Sequence, residues 1–225
     1  MPDATIPGSA KGERTRAVIA ETALRLFRER GYDETTMRAI AAEAGVSTGN
    51  AYYYFASKDH LIQRFYDQLQ TDHAVASAPT LATAESFAVR LAGVLHAWLE
   101  IARPYHSFAG SFFKTAAEPT SPLSPFSAES SPARDAGIAL FRTVVQGSSA
   151  TLDPQLRDDL PELLWIYHMG LVLFWVHDPS PDQRRTAGLI DRSVPMVDRI
   201  VRLSRTRLLR PVTREVLDLV RYLRS

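Results

Sequence analysis

Apolar residues recur at intervals of three and four along most of this 225-residue chain, and the short alternating runs of Val, Ile and Thr that mark strands are nearly absent. That periodicity restricts the chain to an all-α fold. The first helix is expected over about residues 14–30, where Ala20, Ala23, Leu24 and Phe27 share a face and Gly31 stops the run. Two helices of two turns follow, 37–44 and 48–55, capped by Thr36 and Ser47 and separated by Gly45. Ser57 caps a longer helix from Lys58 to the mid-seventies.

Past the Ser-Ala-Pro-Thr run at 77–80, longer helices are expected over 83–103, 105–117 and 133–146. The prolines and serines of 118–132 read as a loop, with Leu123 and Phe126 as the residues that would pack it onto a domain. The helix expected over 161–178 is apolar on nearly every side, so it must be buried in the fold, in an interface, or in both. Ser180 and Gln183 form a capping box with Pro181 at the first helical position, starting a helix to about residue 203 that should bend near Pro195. A basic helix over 213–223 ends the chain's pattern.

Composition excludes several functions. With no cysteine there can be no disulfide, thiolate metal site or cysteine nucleophile. The first ten residues lack the apolar core of a signal peptide and no run is long enough to span a bilayer, so a cytoplasmic protein with no membrane partner is expected. There is no G-x-S-x-G, H-E-x-x-H or glycine-rich phosphate loop, and no pair among the six histidines has i, i+4 spacing. Neither catalysis, a metal nor a cofactor is expected. Charge is segregated: residues 11–64 carry nine Lys/Arg against seven Asp/Glu, 65–201 ten against fifteen, and 202–225 seven against two. A weakly basic first segment permits contact with a polyanion without requiring it.

The run from Thr36 to Phe55, "TMRAIAAEAGVSTGNAYYYF", is the most informative stretch. It reads as helix, tight turn and second helix, with Ile40, Ala51 and Phe55 on the buried side and Ala41 small enough for close approach. In such a unit the second helix enters the major groove of DNA and the first crosses the backbone. Tyr52, Tyr53 and Tyr54 point in three directions on a helix, so they cannot all face one core. The segment 14–66, through "ALRLFRERGYDETTMRAIAAEAGVSTGNAYYYFASKDHLI", closely resembles the DNA-binding domain of TetR-family transcriptional regulators.

The resemblance implies an N-terminal three-helix helix-turn-helix DNA-binding domain over 11–60, after a disordered arm at 1–10. A larger helical domain over 61–225 would bind a small-molecule effector and dimerise through its last helices. It further implies that Thr36 and Arg38 touch the backbone or groove edge, that Thr48, Gly49, Asn50 and Tyr53, beside the cap Ser47, present the reading surface, and that Tyr52, Tyr54 and Lys58 hold phosphates. The residue chemistry agrees: a helix N-terminus offers N–H groups to phosphate, and tyrosine offers phosphate a hydroxyl and thymine methyl a ring. The recognition helix has no Arg or Gln, so only Asn50 can make a bidentate adenine contact, and Arg38, Lys11, Arg14 and Arg16 are candidates for further contacts.

Later aromatics suggest a pocket for a small apolar or aromatic ligand, with Trp98, His106, Phe112, Phe113, Phe141, Trp165, His168 and Met169 as candidate walls and the two histidines as polar contacts. Trp165, Gly170, Phe174, Val197 and Ile200, on the helices over 161–178 and 181–203, are the candidate dimer interface. A dimer would read an inverted repeat in double-stranded DNA. The expected function is therefore a DNA-binding regulator, a repressor released by its ligand. An activator, or a ligand-binding protein with a vestigial DNA-binding head, are the alternatives.

Overall fold

A computed structural model describes residues 7–152 and 154–204. Helix α1 (Pro7–Arg30) begins well before Arg14, so residues 7–10 are helical where an arm was expected. A proline opening a helix forfeits no bond, because the first N–H groups have no partner in any case. α1 buries Ile19, Ala23, Leu26 and Phe27, while Ala20 and Leu24 are half-buried at the edge of this stripe. Gly31, at φ +86°, ends the helix with its N–H on the Phe27 carbonyl, a left-handed conformation that costs glycine little.

α2 (Met37–Glu43) and α3 (Thr48–Tyr54) form the short pair. Thr36 Oγ1 accepts the Ala39 N–H and Ser47 Oγ the Asn50 N–H, each at 3.1 Å. Between them Gly45 adopts φ +68° and the Val46 N–H reaches back to the Ala41 carbonyl, which sets the angle of the turn. Arg25 of α1 meets Glu43, at the end of α2, at 2.6 Å.

α4 (Lys58–Thr83) continues through Pro79, where a stop was expected. Its far end is held from outside: Arg90, on α5 (Phe87–Ala102), donates to the Leu81 and Ala84 carbonyls at 2.7 and 2.8 Å. One 3₁₀ turn joins α5 to α6 (His106–Ala117). The Ser/Pro loop then advances by tight turns, with backbone bonds from Ser121, Ser124 and Ser127 to the residue three before each. It packs through Leu123, which is fully buried, whereas Phe126 is exposed.

α7 (Ser131–Gln146) and α8 (Pro154–Val176) follow, with Pro161 inside α8 rather than at its start. Burial of Leu156, Leu160 and Leu164 holds α8 together across the bond that the proline cannot make. α9 (Arg184–Leu203) starts after a 3₁₀ turn in which Asp182 and Gln183 are left-handed, so the expected capping box does not form. Asp178 organises this corner instead. Its carboxylate accepts the Ser180 and Thr186 N–H groups at 2.9 and 2.8 Å and both hydroxyls at 2.6 and 2.8 Å. The basic helix expected over 213–223 lies outside the described residues.

The chain divides into two compact units. One comprises the chain to Gln68 together with Tyr105–Ala133, and the other comprises Leu69–Pro104 together with the chain from Arg134. The division differs from the expected boundary at 60/61 because α6 and the Ser/Pro loop pack with the first helices. Phe27 and Phe65 meet Phe108 at ring separations of 5.9 and 6.3 Å, and Tyr32 meets Phe112 at 5.5 Å. In the second unit α5 contributes Phe87, Leu91, Val94, Leu95 and Trp98 to a core shared with Phe141, Leu164, Trp175, Ile190 and Val194. Among the described residues no helix is long and apolar enough to cross a membrane.

Candidate nucleic-acid interface

α3 separates its side chains sharply. Ala51 and Phe55 are buried, while Thr48, Gly49 and Asn50 are exposed and Tyr53 is 81% exposed. An aromatic ring left in water has its burial free energy still to gain, so Tyr53 is the side chain on this helix most disposed to meet another surface. Tyr54 turns the other way: it stacks edge-on against Tyr53 at 5.1 Å, and a β-carbon placed on Gly12 would stand 3.5 Å from its hydroxyl. Arg16 lies over the Phe55 ring at 5.5 Å, so the first turns of α1 run beside the end of α3. Neither contact was legible from local sequence.

Tyr52, half exposed, opens onto a cleft of about 460 Å³ at the N-terminal ends of α2 and α4, lined also by Tyr32, Thr36, Met37, Ser57, Lys58 and Asp59. The Lys58 ammonium on this wall donates to the Tyr32 carbonyl at 2.8 Å and sits 4.3 Å from the Tyr32 ring centre. The phenol of Tyr32 in turn donates to Asp59, and burial together with that carboxylate pushes its pKa up. Lys58 therefore also has a fold role that was not expected, fastening the α1–α2 turn to α4. An ammonium has three donors, and phosphate can use one that the carbonyls leave. Arg38 is exposed on the outer side of α2, and Thr36 spends its hydroxyl on the cap.

The candidate ligand residues divide between the units. His106, Phe112 and Phe113 belong to the first, where Phe112 packs on Tyr32, Tyr66 and Phe108. Trp98, Phe141, Trp165, His168 and Met169 belong to the second. There Trp98 and Phe141 contact the His168 ring at 4.8 and 5.6 Å, and His73, which the sequence reading passed over, approaches it at 5.9 Å.

α8 and α9 expose a shared apolar face. Ile166, Gly170, Leu173 and Phe174 recur at helical spacing on α8, and Met196, Ile200 and Leu203 on α9. The two helices are tied by the Tyr167 hydroxyl and Ser193 at 2.5 Å. A β-carbon at Gly170 would meet open space. Trp165 does not belong to this face: it is buried against Gly137, where an added β-carbon would stand 3.1 Å from the indole, because it lies on the opposite side of α8. Val197 is half-buried at the margin of the face.

A capped helix-turn-helix with a polar, tyrosine-bearing second helix, together with a second helical unit, places the chain in the helix-turn-helix class. The family comparisons specify it further. Residues 19–65 match the family model described as bacterial regulatory proteins, tetR family, and residues 90–223 match the tetracyclin repressor-like C-terminal domain. The chain belongs to the TetR family. It is 41% identical over 63 residues to the HTH-type transcriptional regulator TtgR of Pseudomonas putida, and 48% over 50 residues to HbdR of an Aromatoleum species, covering 28% and 22% of this chain. It spans about 30% and 22% of those relatives. Similar folds include a TetR transcriptional regulator from Nitrosomonas europaea (TM-score 0.62, 19% identity, 80% of this chain and 96% of that one). Another is a FadR repressor of Thermus thermophilus solved with lauroyl-CoA (TM-score 0.58, 22% identity, 80% and 92%).

Proposed function

We propose that this TetR-family transcriptional regulator is a homodimeric repressor that binds an inverted-repeat operator and is released by a small apolar ligand. The observation that carries the reading is the partition of α3. Its core residues are spent on Ala51 and Phe55, so Thr48, Gly49, Asn50 and Tyr53 are left to face base edges, with Tyr52 and the α2/α4 cleft beside them for phosphates. Tyr54 contributes through its packing on Tyr53 and α1, and Arg16 and Arg38 add positive charge at either side.

The exposed stripe on α8 and α9 supports the dimer. Apolar side chains at i, i+4 and i+7 or i+8 on two adjoining helices form half of a four-helix interface with a second copy. Lauroyl-CoA in the Thermus relative supports an effector with a large apolar part. Linkage then supplies the control: a ligand that prefers the DNA-incompetent state must weaken operator binding, and operator must weaken ligand binding by the same factor. α4, which begins in one unit and ends in the other, is the proposed route of that coupling. Selection from random duplex DNA tests the reading. An inverted repeat is the expected product, and an asymmetric site, or no enrichment, overturns it.

A further inference from the structure

Among the described residues, the buried polar atoms of the second unit with no hydrogen-bond partner include Nδ1 of His73, Oγ of Ser77 and Nε2 of His168. His73 and Ser77 lie one turn apart on α4, and the His73 and His168 rings are 5.9 Å apart. None of the three residues is more than 3% exposed. Natural interiors hold few such orphans, because each forfeits its bonds to water without replacement.

Geometry assigns the proton on His73. Its Nε2 lies 2.8 Å from the Val94 carbonyl, which can only accept, so Nε2 carries the hydrogen. Burial holds the ring neutral, with its pKa lowered to about 4, so Nδ1 presents a bare lone pair that only a donor can satisfy. His168 is kept neutral in the same way and stands edge-on to Trp98, whose other neighbour is Trp175. The corner is thus an aromatic wall with an obligate acceptor, a hydroxyl and a second uncharged imidazole.

We propose that His73, Ser77 and His168 form the polar end of the effector site and that the effector is a phenol, its O–H donating to His73 Nδ1 and its ring lying against Trp98 and Phe141. A carboxylate has no proton to offer Nδ1, and it would meet neutral rings where it needs a cation. A hydrocarbon would leave all three atoms unsatisfied. The assignment rests on the ligand-responsive reading above, and it narrows that reading to one chemical class.

Calorimetric titration of the full chain at pH 7.5 tests it with phenol and 1-naphthol, each set against its hydrocarbon (benzene, naphthalene) and its carboxylate (benzoate, 1-naphthoate). The phenols should bind about tenfold more tightly than their hydrocarbons, the increment of one good hydrogen bond, and the carboxylates more weakly still. His73→Phe also strips the Val94 carbonyl of its donor, so Ser77→Ala and His168→Phe carry the test. Each should bring phenol affinity down toward that of the hydrocarbon, so that the ratio of the two affinities falls. Equal binding of phenol and hydrocarbon, preference for the carboxylate, or a hydroxyl preference that neither variant alters overturns the assignment. Silence from all six compounds overturns it as well and leaves water as the occupant. Operator anisotropy in the same samples separates the two proposals: release by a hydrocarbon or carboxylate keeps the switch and refutes this site, whereas phenol binding without release keeps the site and refutes the switch.

Discussion

Arg90→Met should unfasten the second unit. Arg90 is 4% exposed and has no ion pair among the described residues; its guanidinium spans the ends of two helices. Nη1 donates to the carbonyls of Leu81 in α4 and of Ala84 just past its end, Nη2 to Thr143 and Nε to Val144 near the end of α7, all at 2.7 to 3.0 Å. The last carbonyls of a helix have no partner inside it and carry the negative end of its dipole, so one cation here satisfies four acceptors and two dipoles. Methionine keeps much of the volume and none of the donors. Hydrogen bonds to charged groups contribute about 1.5–3 kcal/mol each, but burial of the cation and rehydration of the freed carbonyls offset much of the sum. A net loss of about 3–5 kcal/mol is expected, lowering Tm by roughly 6–20 °C for a chain of this length.

Tryptophan fluorescence reads the right unit, since Trp98, Trp165 and Trp175 are the only three tryptophans and all belong to it. Gly147 sharpens the test. A β-carbon there would lie 2.1 Å from Nη2 of Arg90, so Gly147→Ala must displace the guanidinium and should itself cost about 1–3 kcal/mol. In the Arg90→Met background most of that cost should disappear, because the clashing atom is gone, giving a coupling of at least about 1 kcal/mol. If Arg90→Met lies within about 1 kcal/mol of the parent, or if Gly147→Ala costs the same in both backgrounds, the clamp is not what holds α4 to α7.

Tyr53→Ala should leave Tm unchanged and weaken operator binding at least about tenfold in anisotropy titrations, since its ring is exposed and its ring contact among the described residues is with Tyr54. Lys58→Ala should instead lose about 1–2 kcal/mol of stability through the Tyr32 carbonyl and ring, and should also reduce the salt dependence of binding. A variant at Lys58 that alters neither would refute both of its roles. Acid should act in two windows. His73 has a folded pKa of about 4 against 6.5, so its stabilising contribution is complete above pH 6.5 and is lost as pH falls toward 4, about 3 kcal/mol in all. Asp178 is held at about 2 against 3.8; although burial opposes ionisation, bonds from Ser180 and Thr186 prevail, so its contribution is lost only between about pH 4 and 2, by at most about 2 kcal/mol before solvent screening. Urea titrations that give the same stability at pH 7 and pH 5 would contradict the first window. Gly170→Trp, whose added β-carbon would have no neighbouring side chain within 4 Å, should yield monomers in sedimentation velocity without loss of helicity; a persistent dimer would place the interface elsewhere.

Local features were legible in advance because they are decided within about four residues. Thr36 and Ser47 accept N–H groups three positions ahead, Gly31 and Gly45 take the positive φ that ends each helix, and Ala51 and Phe55 share a face by spacing alone. The helix-turn-helix followed from these, and the family from the resemblance of residues 14–66. The errors came where distant chain overrode a local signal. Pro79 read as a stop, yet α4 passes through it because Arg90 holds the helix end; Pro161 read as a start, yet buried leucines carry α8 on both sides of it.

Sequence alone thus determined the all-helical class, the positions of the two short helices and the burial of Ala51 and Phe55, since helix phase decides which side chains can share a core. Tertiary structure alone decided the partners of buried polar groups. Arg90 and His73 carry no local signal that names what they bond. Their partners stand 54 and 21 residues away at Val144 and Val94, distances over which periodicity carries no information. The same holds for the aromatics, which spacing could mark as core but not divide between the Phe108 cluster and the Trp98 cluster, because that division depends on which helices meet in space.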